Sequence, residues 1–149
     1  MTPSTLRLLS LCMFVTACGP LDPEEMAELD DTAEVESALT NIDSRCIGHL
    51  PSGKTTCIRL QKASNQQVRA YGAISGSSGT MAVEGVQLYV AGTLVAASGP
   101  IKGTGHVSSA TGYKGPYKCK TQLQFCATFA WSGQPGYRMC EKYTACAGE

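Results

Sequence analysis

Residues 48–55 match the phosphate-loop pattern G-x-x-x-x-G-K-[ST], with Lys54 and Thr55 as its last two positions. In a nucleotide-binding protein the loop amides wrap the phosphates, the lysine reaches their oxygens and the hydroxyl binds magnesium. This chemistry requires a buried strand before the loop and a helix after it. Residues 41–45 do not have the pattern of a buried strand, and residues 56–60 resemble a strand more than a helix. We therefore predict that the match is accidental and that the protein binds no nucleotide.

Few other side chains suit catalysis. The histidines are His49 and His106, no G-x-S-x-G motif occurs, and a glycosidase-type carboxylate pair would have to come from Glu84 and Glu141. The cysteine spacings are not those of zinc modules. We predict a non-enzymatic domain without a metal or cofactor. The alternative is a small exported hydrolase that uses His106 as its base.

Lysines and tyrosines are interleaved over residues 113–120, and the sequence pattern places the residues from Tyr117 onward on one strand that continues to Trp131. On such a strand Lys118 and Lys120 share one face. Cations supply an attractive field and aromatic rings stack, so this surface suits anionic glycans or lipid headgroups, which we favour over nucleic acid. The alternative is that the lysines protect an exposed sheet edge. The predicted binding residues are Lys114, Tyr117, Lys118, Lys120, Arg138 and Lys142, with Tyr137 and Tyr143 beside them.

Strands are the elements that would position these residues. Apolar and polar residues alternate over residues 86–90 and 117–131, and Gly or Pro interrupts the chain at short intervals. Residues 86–90 and 94–97 form a predicted hairpin around Gly92. Hydrophobic residues make up 43% of the chain, which excludes wholesale disorder. We predict an all-β fold of about six to eight strands, either a small antiparallel sandwich (immunoglobulin-like or lectin-like) or a small barrel.

Eight cysteines in 149 residues indicate an exported, disulfide-stabilised protein. Cys12 lies in the predicted export signal of residues 1–17 and Cys18 follows this signal directly, so six cysteines remain for the folded domain. Cys119 and Cys126 cannot pair if they lie on one strand, because the strand separates them by roughly 23 Å. A hairpin turning at residues 132–136 brings Cys126 near Cys140 and Cys119 near Cys146, and both pairs align if the hairpin contains a bulge. The predicted disulfides are therefore Cys126–Cys140 and Cys119–Cys146, together with Cys46–Cys57, which closes a short loop.

The first 17 residues have the three parts of an export signal: Arg7, an apolar stretch over residues 8–15, and small residues at 16–17. The apolar stretch is too short to cross a bilayer. Val15-Thr16-Ala17-Cys18 resembles the lipobox of bacterial lipoproteins, in which the signal peptide is removed before a cysteine that then receives lipid. The resemblance covers residues 1–18 only.

This resemblance implies that Cys18 is acylated, with fatty acids such as palmitate, and that the mature protein is anchored to a membrane. In enteric lipoproteins an aspartate after the cysteine retains the protein at the inner membrane. Gly19 occupies that position here, which implies the cell outer membrane. The alternative is an ordinary secretory signal with Cys18 as a chance residue.

Charge divides the chain into two parts. Residues 19–45 contain nine acidic residues and one basic residue, a net charge of −8, whereas residues 46–149 contain ten basic and three acidic residues, a net charge of +7. We predict a signal peptide over 1–17, lipidated Cys18 with an acidic tether over 18–45, and an all-β domain over 46–149. The tether is expected to be solvated. The alternative is that it folds back on the basic domain and masks it.

These features predict an exported, lipid-anchored envelope protein whose domain binds anionic polymer or lipid within the envelope. A third hypothesis is an inhibitor of another enzyme. The candidate contact for that role is the loop of residues 51–55, which lies between Cys46 and Cys57.

Overall fold

The computed structural model of the chain describes residues 39–146. The predicted signal peptide, Cys18 and the tether up to residue 38 lie outside the described residues. Between residues 39 and 146 there is no helix long and apolar enough to cross a membrane. The regular structure of this part consists of strands: β1 Thr40–His49, β2 Lys54–Lys62, β3 Val68–Ser75, β4 Met81–Val90, β5 Thr93–Ser98, β6 Ile101–Gly103, β7 His106–Ala110, β8 Gln122–Trp131 and β9 Gln134–Thr144.

The strands form two antiparallel sheets that pack face to face. Sheet A has the order β1-β2-β3-β7, and sheet B has the order β5-β4-β8-β9, with the short β6 also pairing with β4. The all-β prediction is confirmed, and of its two architectures the structure has the sandwich rather than a closed barrel. Nine strands exceed the predicted number because β1 and β6 were not anticipated.

The core lies between the sheets and follows the predicted alternation. Leu123, Phe125, Ala127 and Phe129 of β8 are all at most 2% exposed, because every second residue of a strand points to the same side. The predicted hairpin around Gly92 is also present: β4 and β5 pair through a two-residue turn at residues 91–92. We call the side of each sheet that faces the core its inner face and the other side its outer face.

The predicted strand from Tyr117 to Trp131 is wrong in its first five residues, because β8 begins at Gln122. Pro116 has no amide proton for a sheet ladder, and Lys120 adopts a left-handed conformation with φ 67°. A turn forms instead, in which the hydroxyl of Thr121 donates a hydrogen bond of 2.6 Å to the carbonyl of Lys118. Lys118 and Lys120 therefore do not share a strand face.

The predicted start of the domain at residue 46 is also wrong, since β1 begins at Thr40. Residues 40–45 were assigned to the tether because they are polar. Ile42 packs against the core from this segment, and the first strand pairs with β2 from Thr40 opposite Lys62 to His49 opposite Lys54. An edge strand needs only a few inward apolar residues, so its sequence resembles that of a linker.

Three disulfides brace the sandwich, and they are the three pairs that the sequence predicts: Cys46–Cys57, Cys119–Cys146 and Cys126–Cys140. Cys46–Cys57 joins opposed residues of β1 and β2, and Cys126–Cys140 joins opposed residues of β8 and β9. The prediction of Cys119–Cys146 rested on a wrong premise, namely that both cysteines lie within the β8–β9 hairpin. Both lie outside the paired residues of these two strands. The predicted turn at residues 132–136 is shorter as well: β9 already begins at Gln134, opposite Trp131.

Candidate functional site

The phosphate-loop match lies in the turn between β1 and β2, so a strand follows the loop where a nucleotide site requires a helix. Lys54 is only 6% exposed, and its ammonium donates a hydrogen bond to the carbonyl of Ser78. The ammonium group that would bind a phosphate is therefore buried and hydrogen-bonded within the domain. This geometry agrees with an accidental match.

This same turn contains the loop considered for an inhibitor. Residues 51–53 are exposed, and the neighbouring Leu50 is 93% exposed. The hydroxyl of Ser52 donates to the carbonyl of His49 at 2.9 Å, which stabilises the turn. Lys54 and Thr55, at the end of the predicted loop, belong to β2 instead.

The side chains considered for catalysis, His106, Glu84 and Glu141, lie on different strands. His106 is exposed at the start of β7, opposite Ser75, and Glu84 is exposed in β4. Glu141 of β9 forms an ion pair with Arg45, and this pair raises the pKa of Arg45 above its usual value, mainly through the hydrogen bond. No group of three His, Cys, Asp or Glu side chains that could hold a metal occurs within residues 39–146.

Most lysines gather at one end of the sandwich, where β1, β3 and β8 begin and β2 and β9 end. Lys62 closes β2 opposite Val68, and the backbone of Lys114 forms a bridge with the same valine. Lys142 lies near the end of β9, opposite Gln124. We call this region the lysine end. It contains five of the seven lysines of the described part: Lys62, Lys114, Lys118, Lys120 and Lys142.

Two of the predicted binding residues meet in an open groove at the lysine end. Lys120 and Lys142 line this groove of about 560 Å³ together with Thr121 and Gln124. The backbone amide of Lys120 donates to the carbonyl of Ala145 at 2.9 Å, which ties the loop before β8 to the chain after β9. Two cations that are 22 residues apart in sequence are thereby presented on one concave surface.

The other predicted residues are more dispersed. Tyr117 lies between the sheets at the lysine end, in the wall of a cavity of about 50 Å³, and burial raises the pKa of its phenol. This cavity has room for water but not for a substrate. Lys114 and Lys118 are exposed at the same end. Arg138 is separate: it lies on the outer face of sheet B, where it donates hydrogen bonds to Gln87 at 2.9 Å and to Tyr89 at 3.2 Å.

Tyr137 and Tyr143 do not accompany Arg138 and Lys142, because residues of opposite parity point to opposite sides of β9. Both tyrosines pack against the core. At the end of the sandwich opposite the lysine end, Tyr137 forms an aromatic cluster with His49 and Trp131, with ring centroids 4.6 to 5.9 Å apart. The His49 ring also makes a 2.8 Å hydrogen bond with the hydroxyl of Thr56. These contacts give His49 a role in packing the open edge of the sandwich.

Sequence reasoning missed a second basic and aromatic surface, on the outer face of sheet A. The guanidinium of Arg59 lies 5.6 Å from the ring centroid of Tyr71, and that of Arg69 lies 5.0 Å from the ring centroid of Tyr113. The signal was present in the sequence, since a hairpin joining β2 to β3 places Arg59 directly opposite Tyr71. We call Arg59, Tyr71, Arg69 and Tyr113 the arginine–tyrosine face.

No family model and no curated protein sequence matches this chain.

Proposed function

We propose that this chain is a lipid-anchored protein of the cell envelope, held at the outer membrane in a cell that has one. Its sandwich binds anionic lipid headgroups or anionic envelope polymer through the lysine end. The observation that carries the proposal is the convergence of five lysines at the end where β1 begins. Thr40, the first residue of β1, lies at this same end. A protein anchored through Cys18 would have these lysines close to its anchoring surface.

The charge of the sandwich supports this proposal. Residues 39–146 contain eleven basic and three acidic side chains, a net charge of +8. Within this part, the side chains of Lys114, Lys118, Lys120 and Lys142 make no hydrogen bond or ion pair. Cations without a local partner retain their field for an external anion.

An open, cationic groove suits a binding role better than a hydrolytic one. The hydrolase hypothesis requires His106 to have an acidic or hydroxyl partner in a concave site. His106 is instead exposed, at the end of the sandwich opposite the lysine groove and not within a concave site. We therefore assign the lysine end, and not His106, as the site to be tested.

Replacing Lys114, Lys118 and Lys120 with glutamine should weaken binding to vesicles that contain anionic lipid by on the order of 100-fold, because each lysine near such a surface contributes about 1 kcal/mol. Sedimentation of the protein with vesicles of increasing anionic lipid content measures this. Purified anionic cell-wall polymer, tested in parallel, separates the two ligand sources. The loss should shrink as salt is raised, since screening shortens to about 8 Å at physiological ionic strength.

Lys102 provides a matched control. It lies on β6, away from the lysine end, and is exposed like Lys120. Lys120→Gln and Lys102→Gln remove the same charge, so only a local role distinguishes them. Equal affinities for the two variants, or an unchanged affinity for the triple variant at low salt, would show that these lysines only protect the sheet edge.

The acidic tether should oppose this binding. Residues 21–36 contain eight carboxylates and no basic residue, and they precede β1 closely in sequence. Deleting residues 21–36 should tighten binding to anionic vesicles at low salt, because these carboxylates repel the same surface that attracts the lysines. The deletion must end before Thr40, where β1 begins.

A full-length variant in which these eight acids are replaced by Asn and Gln controls for tether length. If charge is the cause, the neutral tether and the deletion tighten binding alike. If only the deletion tightens binding, tether length is responsible and the electrostatic explanation is wrong.

A further inference from the structure

The outer face of sheet A forms a second charged surface, distinct from the lysine end. Thr56, Ile58 and Leu60 of β2 are buried in the core, so Arg59 between them points outward. The same argument places Arg69 and Tyr71 of β3 on the outer face, between the buried Val68 and Ala70 and the buried Gly72. Arg59 lies directly opposite Tyr71, and Arg69 lies directly opposite Gln61.

The two guanidinium groups are held in place by their neighbours. Arg59 lies over the ring of Tyr71 and Arg69 over the ring of Tyr113. Arg69 also donates a 2.9 Å hydrogen bond through Nε to Gln61, whose amide in turn donates to Asn41 at 3.1 Å. A guanidinium fixed in this way loses little side-chain entropy when it binds a ligand.

The chemistry of the face selects an extended anion. Arginine binds carboxylates through two parallel N–H···O bonds, and no carboxylate of residues 39–146 lies on this face: Asp43 pairs opposite the inward Leu60, while Glu84 and Glu141 belong to sheet B. The register places Arg59 and Arg69 on the order of 8 Å apart at their Cα atoms. Both arginines point outward from the same sheet face, so two adjacent acidic groups of one chain can reach both of them.

We propose that the arginine–tyrosine face binds a carboxylate-bearing polysaccharide, that is, a chain containing uronic acid units. Two hydroxyl side chains lie on the same face, Ser44 opposite Arg59 and Ser108 opposite Ala73, and these can bond sugar hydroxyls. Nucleic acid is disfavoured because single-stranded bases need free aromatic faces, whereas each tyrosine ring here already has a guanidinium over one side.

The test uses the mature chain with its disulfides formed and a fluorescent oligogalacturonate as the probe, with binding followed by anisotropy at 0.15 M salt, where screening limits long-range effects to about 8 Å. Replacing both Arg59 and Arg69 with lysine keeps the net charge but removes the bidentate fork. We expect this double variant to lose at least tenfold in affinity. The Lys114, Lys118 and Lys120 triple variant should bind the probe within about threefold of the wild type.

A second pair of variants keeps the test valid if the arginine changes disturb folding. Ser44→Glu places a carboxylate beside Arg59, whereas Ala97→Glu places one on the outer face of sheet B, opposite Gln87. We expect only Ser44→Glu to weaken binding of the oligogalacturonate. Each of four results would overturn the proposal. The two glutamate variants lose affinity equally, the double lysine variant keeps the wild-type affinity, the wild type does not bind the oligogalacturonate, or it binds oligo-dT equally tightly. None of these outcomes bears on the vesicle binding of the lysine end.

Discussion

We expect the Cys18→Ser protein to incorporate no palmitate label in growing bacteria, whereas the Cys12→Ser protein is labelled like the wild type. In the lipobox interpretation Cys18 is the only acylated residue, and Cys12 lies in the discarded signal peptide. A single acyl chain holds a protein only marginally, while several chains hold it almost irreversibly. The expected effect is therefore complete loss of stable anchoring.

Fractionation of the same strains adds a second readout. A high-salt wash removes protein that is held only through lysines, and mass spectrometry of the pelleted chain distinguishes an uncleaved precursor from a mature, lipidated product. Label retained by Cys18→Ser would place the lipid on another residue and overturn the assignment of Cys18. Wild-type protein without label would make residues 1–17 an ordinary secretory signal. The lysine end would then face a polymer rather than an anchoring bilayer.

The local sequence pattern was sufficient to predict the strands in which apolar and polar residues alternate. Phe125 and Phe129 of β8 are buried as predicted, because their period-two spacing leaves one side apolar whatever the sheet order. The position of Cys140 opposite Cys126 followed from the same hairpin. Strand β1 was missed because an edge strand buries few side chains. Ile42 and Ile47 pack against the core from β1, and two apolar residues do not form a recognisable alternating pattern.

The lysine end depends on topology, which one sequence does not reveal. Lys62 follows β2, Lys114 precedes the loop leading to β8, and Lys142 lies in β9, so these three meet only because two sheets pack with their ends aligned. The sequence pattern placed Lys118 and Lys120 on one strand, but these residues precede β8. Both still lie at the lysine end, because they belong to the turn between Pro116 and β8. The predicted surface was thus partly right in its residues and wrong in its geometry.

The arginine–tyrosine face shows the converse case. Its pairing of Arg59 with Tyr71 is local, since both residues belong to the hairpin that turns after Lys62. The turn contains Asn65 and Gln66, the latter with φ 65°, but no glycine or proline that would mark it in the sequence. A register assigned to this hairpin would have placed the two residues opposite each other.

Substitution of Gly72 with alanine should lower the free energy of unfolding by about 1–3 kcal/mol, a large part of the stability of a small domain. Gly72 lies on β3 where the two sheets approach closely. A Cβ atom at this position would be 2.7 Å from the Cβ of Ala127 and 3.1 Å from Cγ2 of Val86. Ala127 cannot relieve the contact by rotating its side chain, because its Cβ is fixed to the backbone of β8, so the sheets themselves would have to separate.

Gly48 is the matched control, since it also lies in a strand and a Cβ there would meet nothing within 4 Å. Chemical denaturation with the disulfides intact should place Gly48→Ala within about 0.5 kcal/mol of the wild type. The close contact itself is tested by combining Gly72→Ala with Ala127→Gly, which removes the opposing Cβ. We expect the double variant to be more stable than the sum of the two single changes allows, because they share one contact. If the two changes are simply additive, the sheets at Gly72 are not as close as this packing requires, and the loss seen in Gly72→Ala has another cause.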